Sequence, residues 1–354
     1  MLVEELNNSA LQEWEDFLQS SSEGTFYHSL KWKQVIERSF PHSPFYLTIR
    51  DEDGTIVGIC PAFLLRKLHM RICDSTPYSD YAGPVIAEHC IEKASLCLLS
   101  FLLRAARDRG IAYGKMVLVN ERMVQCFQPQ HASTDTAIGV MEVNVKNTSS
   151  DLIWSRRLSP NVRRKIRIIE RKGFRAEEAR TRSDLRQFYE LYSSNMKRIG
   201  VSPYPYQFVQ NMWDLLYPEN LRIWFLESNR RLAGSLFLKD KRASYDFLTG
   251  LDREQGLHEA INYLRWTEIR KAEEDGCTYV SFGATPSDPV NPYHVQKTRI
   301  GGSFRQQKTV WHPLSSTGRL LIRARPGAVT TWKAVRGLFP SYLRSFLERG
   351  LVRF

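Results

Sequence analysis

One order of elements occurs twice in this chain, and it restricts the fold more than any single motif. In the first half, residues 11–17 and 30–40 have the three-to-four apolar spacing of helices. Residues 45–49 and 56–59 flank Asp51-Glu52-Asp53-Gly54 as a hairpin, 91–106 reads as a helix and 115–119 as a strand. In the second half, 183–196 and 206–216 are again two helices, and 221–226 and 232–238 flank Ser228-Asn229-Arg230-Arg231. Helix 257–275 and strand 278–282 follow. A helix-helix-hairpin-helix-strand unit used twice predicts an α/β chain with mixed α+β sheets, each covered by helices. With 354 residues, 42% of them hydrophobic, there is enough apolar material for two cores.

Residues 245–302 concentrate the polar chemistry. Tyr245 and Phe247 alternate as in a strand, and Leu257, Ile261, Leu264, Trp266, Ile269 and Ala272 mark a buried helical face that Gly276 closes. Tyr279, Val280 and Phe282 make a second strand. After Gly283 comes a Pro/Asp/Asn-rich segment, expected to be a loop, that carries Tyr293, His294 and Lys297.

The charge is concentrated as well. Residues 156–172 hold eight Lys/Arg against Glu170, and 319–353 hold eight against Glu348, so these two segments together exceed the whole chain's +12. Two such stretches suit a phosphate-bearing partner (RNA, a nucleotide-linked substrate or an anionic membrane), although charged helix faces are also commonly just solvated. In the first segment Ser159 stands at an N-cap and Pro160 at the first helical position. Val162, Ile166 and Ile169 form a stripe and Gly173 ends the helix. Past His312, residues 328–339 and 342–352 read as two basic amphipathic helices, which either pack on the preceding domain or lie at a membrane interface.

The six cysteines, Cys60, Cys73, Cys90, Cys97, Cys126 and Cys277, are scattered without CxxC pairs, so buried thiols and no metal site are expected. No apolar run reaches the length of a membrane span, and the acidic N-terminus does not resemble a signal peptide. The expected location is the cytoplasm, with peripheral contact at the inner face of the membrane as an option. No Rossmann fingerprint, Walker loop or HExxH helix is present.

Three segments, in this order and spacing, resemble the Fem family of peptidyl- and aminoacyltransferases and FemAB-like GNAT proteins of the BioF type. They are Phe26-Tyr27-His28-Ser29-Leu30-Lys31-Trp32; Leu158-Ser159-Pro160-Asn161-Val162-Arg163-Arg164-Lys165-Ile166-Arg167; and Phe282-Gly283 leading to Val295-Gln296-Lys297 and Gly301-Gly302. The resemblance covers roughly residues 25 to 312. It implies two tandem GNAT-like lobes, at 1–150 and 174–315, joined by a short basic helical linker (151–173) and followed by a basic helical tail (316–354). It also implies an amide-forming acyltransferase whose co-substrate is an aminoacyl-tRNA or an acyl-CoA. The polar-aromatic loop 74–84, with Tyr78, Asp80 and Tyr81, resembles the family's early substrate loop, and Trp32 its opening helix. Arg253-Glu254-Gln255-Gly256 resembles the start of the GNAT phosphate loop, in which backbone N–H groups meet a pyrophosphate at a helix N-terminus. His258 and Glu259 depart from that pattern, and Gly256 alone could simply start the helix.

Acyl transfer to an amine needs an activated ester or thioester, a deprotonated amine and a stabilised oxyanion, and no covalent enzyme intermediate. Within 245–302, Lys297 can neutralise developing negative charge or a phosphate, His294 and Asp246 can take a proton, and Tyr245 and Tyr293 can orient an acceptor. His294 can equally be a loop hydrogen-bonder, and Asp246 can face solvent. The expected function is a Fem-like transfer of an aminoacyl or acyl group to an amino-bearing acceptor, a cell-envelope precursor being one such class. The alternatives are an acyl-CoA-dependent GNAT N-acyltransferase and a non-catalytic protein that binds polyanions or membranes.

Overall fold

The computed structural model describes residues 1–67, 70–75, 77–81, 83–128, 132–252 and 259–335, the last ten by backbone alone. From the N-terminus run β1 (Leu2–Glu5), α1 (Leu11–Ser20), α2 (Leu30–Ser39), β2 (Ser43–Pro44), β3 (Leu47–Arg50), β4 (Ile56–Cys60), β5 (Phe63–Lys67) and β6 (Met70–Asp74). β7 (Val85–Ile86), α3 (Ile91–Arg109), β8 (Ile111–Leu118), α4 (Glu121–Phe127) and β9 (Ser133–Asp135) follow. Next come β10 (Ile138–Asn144), α5 (Ser150–Leu152), α6 (Pro160–Arg171), β11 (Arg175–Glu178), α7 (Arg182–Arg198), α8 (Tyr206–Leu216), β12 (Leu221–Glu227) and β13 (Arg231–Lys239). The chain continues with β14 (Ala243–Leu251), α9 (Ala260–Glu274), β15 (Tyr279–Pro286), α10 (Pro292–Arg299), β16 (Ser303–Gln306), β17 (Lys308–Pro313) and α11 (Ser316–Val335).

These elements form two compact units, residues 137–306 in one, and residues 1–136 with the segment from Gln307 in the other. The second unit (137–306) has one sheet, ordered β11-β12-β13-β14-β15-β10-β16. In the first unit, β1-β3-β4-β7 forms one sheet and β2-β5-β6-β8-β17-β9 another. The expected repetition is visible in this order. Both units have an antiparallel hairpin (β3–β4, β12–β13) and one parallel pair with a helix crossing between its strands (β6–β8 through α3, β14–β15 through α9).

The division differs from the linear boundaries expected from the sequence, because two strands are exchanged. β10 leaves the first half to pair antiparallel with β15, and β17 leaves the second half to pair with β8. α6 is not a free linker either. Ser159 Oγ accepts the Val162 N–H as an N-cap, and the stripe Val162, Ile166 and Ile169 is buried in the second unit's core with α9. A helix with a three-residue apolar stripe must bury it somewhere. The tail differs too: α11 already begins at Ser316, and the expected helix 342–352 lies outside the described residues. No helix among the described residues is long and apolar enough to cross a membrane.

α9 is buried on every side from Ala260 to Ile269, so its polar residues need partners inside the protein. Glu268, fully shielded, accepts from Arg222 at 3.2 and 3.3 Å, from the Trp224 indole at 2.6 Å and from the Ser244 hydroxyl at 2.6 Å. Burial pushes this carboxyl up, opposed by the Arg222 charge and these hydrogen bonds.

The start of α7 offers a pH test. Burial alone would raise Asp184, yet backbone N–H groups of Arg180 and Thr181, the Thr181 hydroxyl and the Arg231 guanidinium hold it down at about 2, against 3.8 unperturbed. A depressed carboxylate stabilises the fold above its unfolded-state value, and the gain disappears as the pH falls from about 4 through 2. Asp184→Asn should therefore cost about 2 kcal/mol at pH 7 and much less at pH 2, as read by urea denaturation at the two pH values. An equal cost at both would show that the charge contributes nothing.

Candidate functional site

In the second unit the sheet opens between its two parallel strands. β14 pairs with β15 only at Ala243↔Tyr279, Ser244↔Val280 and Tyr245↔Ser281, although the strands continue to Leu251 and Pro286. From Asp246 and Phe282 onward they share no ladder. At the same place β14 bulges: Leu248 faces Leu236 and Asp246 faces Phe237, leaving Phe247 as the extra residue. A bulge bends its strand and frees backbone groups, and bulges are frequent beside active sites.

Several expected site residues border this opening. Gly283 adopts φ 68°, left-handed geometry that favours glycine, immediately before the carbonyls that meet Lys297. Asn291-Pro292 starts α10, with Asn291 as N-cap and Pro292 at the first position, so Tyr293, His294 and Lys297 lie on a helix and not on the expected loop. That signal was present in the sequence. Lys297, 9% exposed, directs its ammonium at Ala284 O (2.6 Å), Thr285 Oγ1 (3.1 Å) and Gly283 O (3.4 Å). It is thus a fixed internal cation bound to the end of β15. His294 donates from Nδ1 to Pro286 O at 2.8 Å, which leaves Nε2 of the neutral ring as a proton acceptor. Asp246 does not face solvent; it pairs with Arg265 at 2.7 Å.

Of the other candidates, one is packed in the core and one is exposed. Tyr245 is fully shielded with its hydroxyl 3.2 Å from that of Tyr279, and Tyr293 is 66% exposed at the surface. Arg253 and Gly256 lie outside the described residues, as does His258. Sequence reasoning missed Arg265. Its only signal was a charged residue between Leu264 and Trp266, in a helix that also carries Glu268 and Arg270.

The first unit has the equivalent parallel pair, Cys73↔Gly114 and Asp74↔Lys115, but its own chain occupies the next position. The Ser75 N–H donates to Lys115 O at 3.0 Å, and Gly83 lies so close to β8 that a Cβ there would sit 2.0 Å from Val117 O. His28 fastens this return. Its Nδ1 accepts from the Thr25 N–H, so Nε2–H donates to Gly83 O at 2.9 Å. Trp32 and Tyr81 are buried on either side of Tyr27, the former edge-on at 5.4 Å and the latter stacked at 6.1 Å. Tyr78, with φ 62°, stacks on Phe40 at 4.0 Å, and Asp80 gives its carbonyl to Gln307. These four residues therefore shape and brace the loop.

Outside the opening, α6 presents a groove of about 850 Å³ lined by Pro160, Arg163, Arg164, Arg167, Glu170 and Arg171. None of these four arginines forms an ion pair among the described residues.

Residues 156–293, which include α6 and the β14–β15 opening, match the acetyltransferase (GNAT) domain family. No curated protein matches the chain. Among solved structures, FemX superposes with a TM-score of 0.71 at 14% identity, over 88% of this chain and 97% of FemX. L-PGS from Bacillus licheniformis gives 0.55 at 14% identity, over 90% and 97%. A tandem GNAT protein from the clavulanic acid biosynthesis pathway gives 0.56 at 9% identity, over 89% and 98%. At such identities the likeness concerns the fold. Residues 156–293 are thus similar to the GNAT acetyltransferase domain family, and most of the chain has a fold like that of FemX and the tandem GNAT protein.

Proposed function

We propose that the second unit transfers an aminoacyl group to an amino-bearing acceptor at the β14–β15 opening, with an aminoacyl-tRNA as donor. The observation that carries this is the contrast between the two parallel pairs: among the described residues one stands open, and the other is closed by Ser75 and Gly83 of its own chain. The acceptor nitrogen attacks the acyl carbonyl, a C–N bond forms and the ester C–O bond breaks. His294 Nε2 is the base that takes the amine proton and returns it to the leaving hydroxyl. Lys297, bound to the Gly283 and Ala284 carbonyls, contributes a fixed positive charge beside the site. A cytoplasmic place of action, next to an anionic membrane, belongs to the same proposal.

The α6 arginines favour a polyanionic donor over a small one. Acyl-CoA remains the alternative because Arg253-x-x-Gly256 lies within the matched GNAT domain. Titrating the full chain side by side with charged tRNA and with acetyl-CoA, in the presence of an amine acceptor, separates the two. Amine-dependent deacylation of the tRNA is expected; release of CoA thiol with inert tRNA would favour the alternative. Replacing Arg163, Arg164, Arg167 and Arg171 by Ala should weaken tRNA binding by roughly tenfold or more and flatten its dependence on log salt, since fewer counterions are released. An unchanged salt slope would remove α6 from the interface.

A further inference from the structure

We infer that the group transferred by the second unit carries a free ammonium, which the buried carboxylate of Asp246, positioned by Arg265, receives. An aminoacyl donor is thereby selected over a plain acyl donor. This rests on the β14–β15 opening being the transfer site. Asp246 is the first β14 residue beyond the parallel pairing, and Phe282 is its counterpart on β15. Arg265 of α9 touches both: its Nε donates to Asp246 Oδ2 at 2.7 Å, and its guanidinium lies 5.1 Å from the Phe282 ring centre. The two side chains are 3% and 10% exposed.

The second carboxylate oxygen decides the chemistry. Asp246 Oδ1 is shielded and has no hydrogen-bond partner among the described residues. One turn earlier on α9, Asn262 Oδ1 is also shielded and unmatched, while its amide N–H donates to Glu259. Buried polar groups are nearly always paired, and an unpaired one is costly, most of all when charged. Both unmatched atoms are acceptors, so what completes them is an N–H or O–H donor. A donor arm lying along the unpaired edge of β14 ends where the strands rejoin at Tyr245 and Ser281, beside Asp246. An acetyl methyl has no proton to offer there, whereas an aminoacyl group brings an ammonium with three. Arg265 keeps the carboxylate oriented without touching the ligand, which makes it a positioning residue.

Arginine-selective ¹⁵N labelling of the full chain tests this, with the Arg265 Nε resonance identified by its disappearance in Arg265→Lys. L-alaninamide, which has an ammonium beside a carboxamide, should shift that resonance saturably. Propionamide, with the same carbon chain and no ammonium, should bind at least about tenfold more weakly. Asp246→Asn, whose side-chain oxygen still accepts from Arg265, should lower L-alaninamide affinity by about tenfold or more. Equal affinity for the two amides, binding of neither, or undiminished L-alaninamide binding in Asp246→Asn would each overturn the inference. Should that variant fail to fold, the two amides on the unaltered chain decide the matter. Transfer activity is a separate readout. A chain that transfers acetyl groups and ignores the ammonium refutes only this inference, and one that binds L-alaninamide selectively but transfers from no donor refutes only the proposed function.

Discussion

Lys297→Met is expected to abolish most transfer and to lower the melting temperature at the same time. The ammonium is enclosed, and its three protons meet Ala284 O, Thr285 Oγ1 and Gly283 O. Methionine fills a similar volume but removes the ammonium that Thr285 Oγ1 and Ala284 O face, while Gly283 O keeps the Thr285 hydroxyl at 3.0 Å; a buried group left unsatisfied, here Thr285 Oγ1, costs about 1–3 kcal/mol. The charge itself is the second loss. A preorganised charge or donor of this kind typically contributes about 2.7–4 kcal/mol to the transition state, or roughly a hundredfold to a thousandfold in rate. Lys297→Gln separates the two effects, because its amide N–H can still reach a carbonyl although the charge is gone. It should recover part of the melting temperature while transfer stays at least about tenfold depressed. A fully active glutamine variant would reduce Lys297 to a structural tie.

Glu268→Leu should destabilise the protein by about 3–5 kcal/mol, because it strips one partner from a buried ion pair and leaves the other uncompensated. The substitution removes the acceptor for Arg222 and also for the Trp224 indole and the Ser244 hydroxyl, all within the core below the opening. Asp275, which binds Arg222 at 2.6 Å, retains only part of the compensation. Against a total stability of about 5–15 kcal/mol this is a large fraction. Glu268→Gln, which keeps an oxygen for Trp224 and Arg222, should cost markedly less in the same urea titration followed by tryptophan fluorescence. Equal costs for the two variants would mean that the charge dominates and the hydrogen bonds retained by glutamine are incidental.

The sequence showed the duplication because helix periodicity, caps and turn residues are local. α8 was expected at 206–216 and occurs at Tyr206–Leu216. α6 starts where Ser159-Pro160 placed it, and the 221–238 hairpin lies within a residue or two of its expected ends. Local chemistry also pointed to the segment that borders the opening, since Gly283, His294 and Lys297 all lie there. It did not show that Lys297 is enclosed, that Asp246 is paired with a residue of α9, or that Tyr245 belongs to the core.

Those outcomes depend on partners that no local pattern names. Alternation along a strand says which side chains share a face, but not which strand lies alongside. Nothing in 138–144 or 308–313 therefore foretold that β10 and β17 would change places. The opening has the same origin. β14 and β15 stop pairing after three residues, where β14 bulges against β13 while β15 continues along β10 on its other edge, and these partners are set by tertiary contacts. By itself the sequence determined a repeated α/β unit and the residue types gathered near its second strand pair. Only the tertiary structure decided which of those residues are held, which are shielded, and that one of the two equivalent strand pairs stands open. Burial and pairing are properties of contacts between residues far apart in the chain.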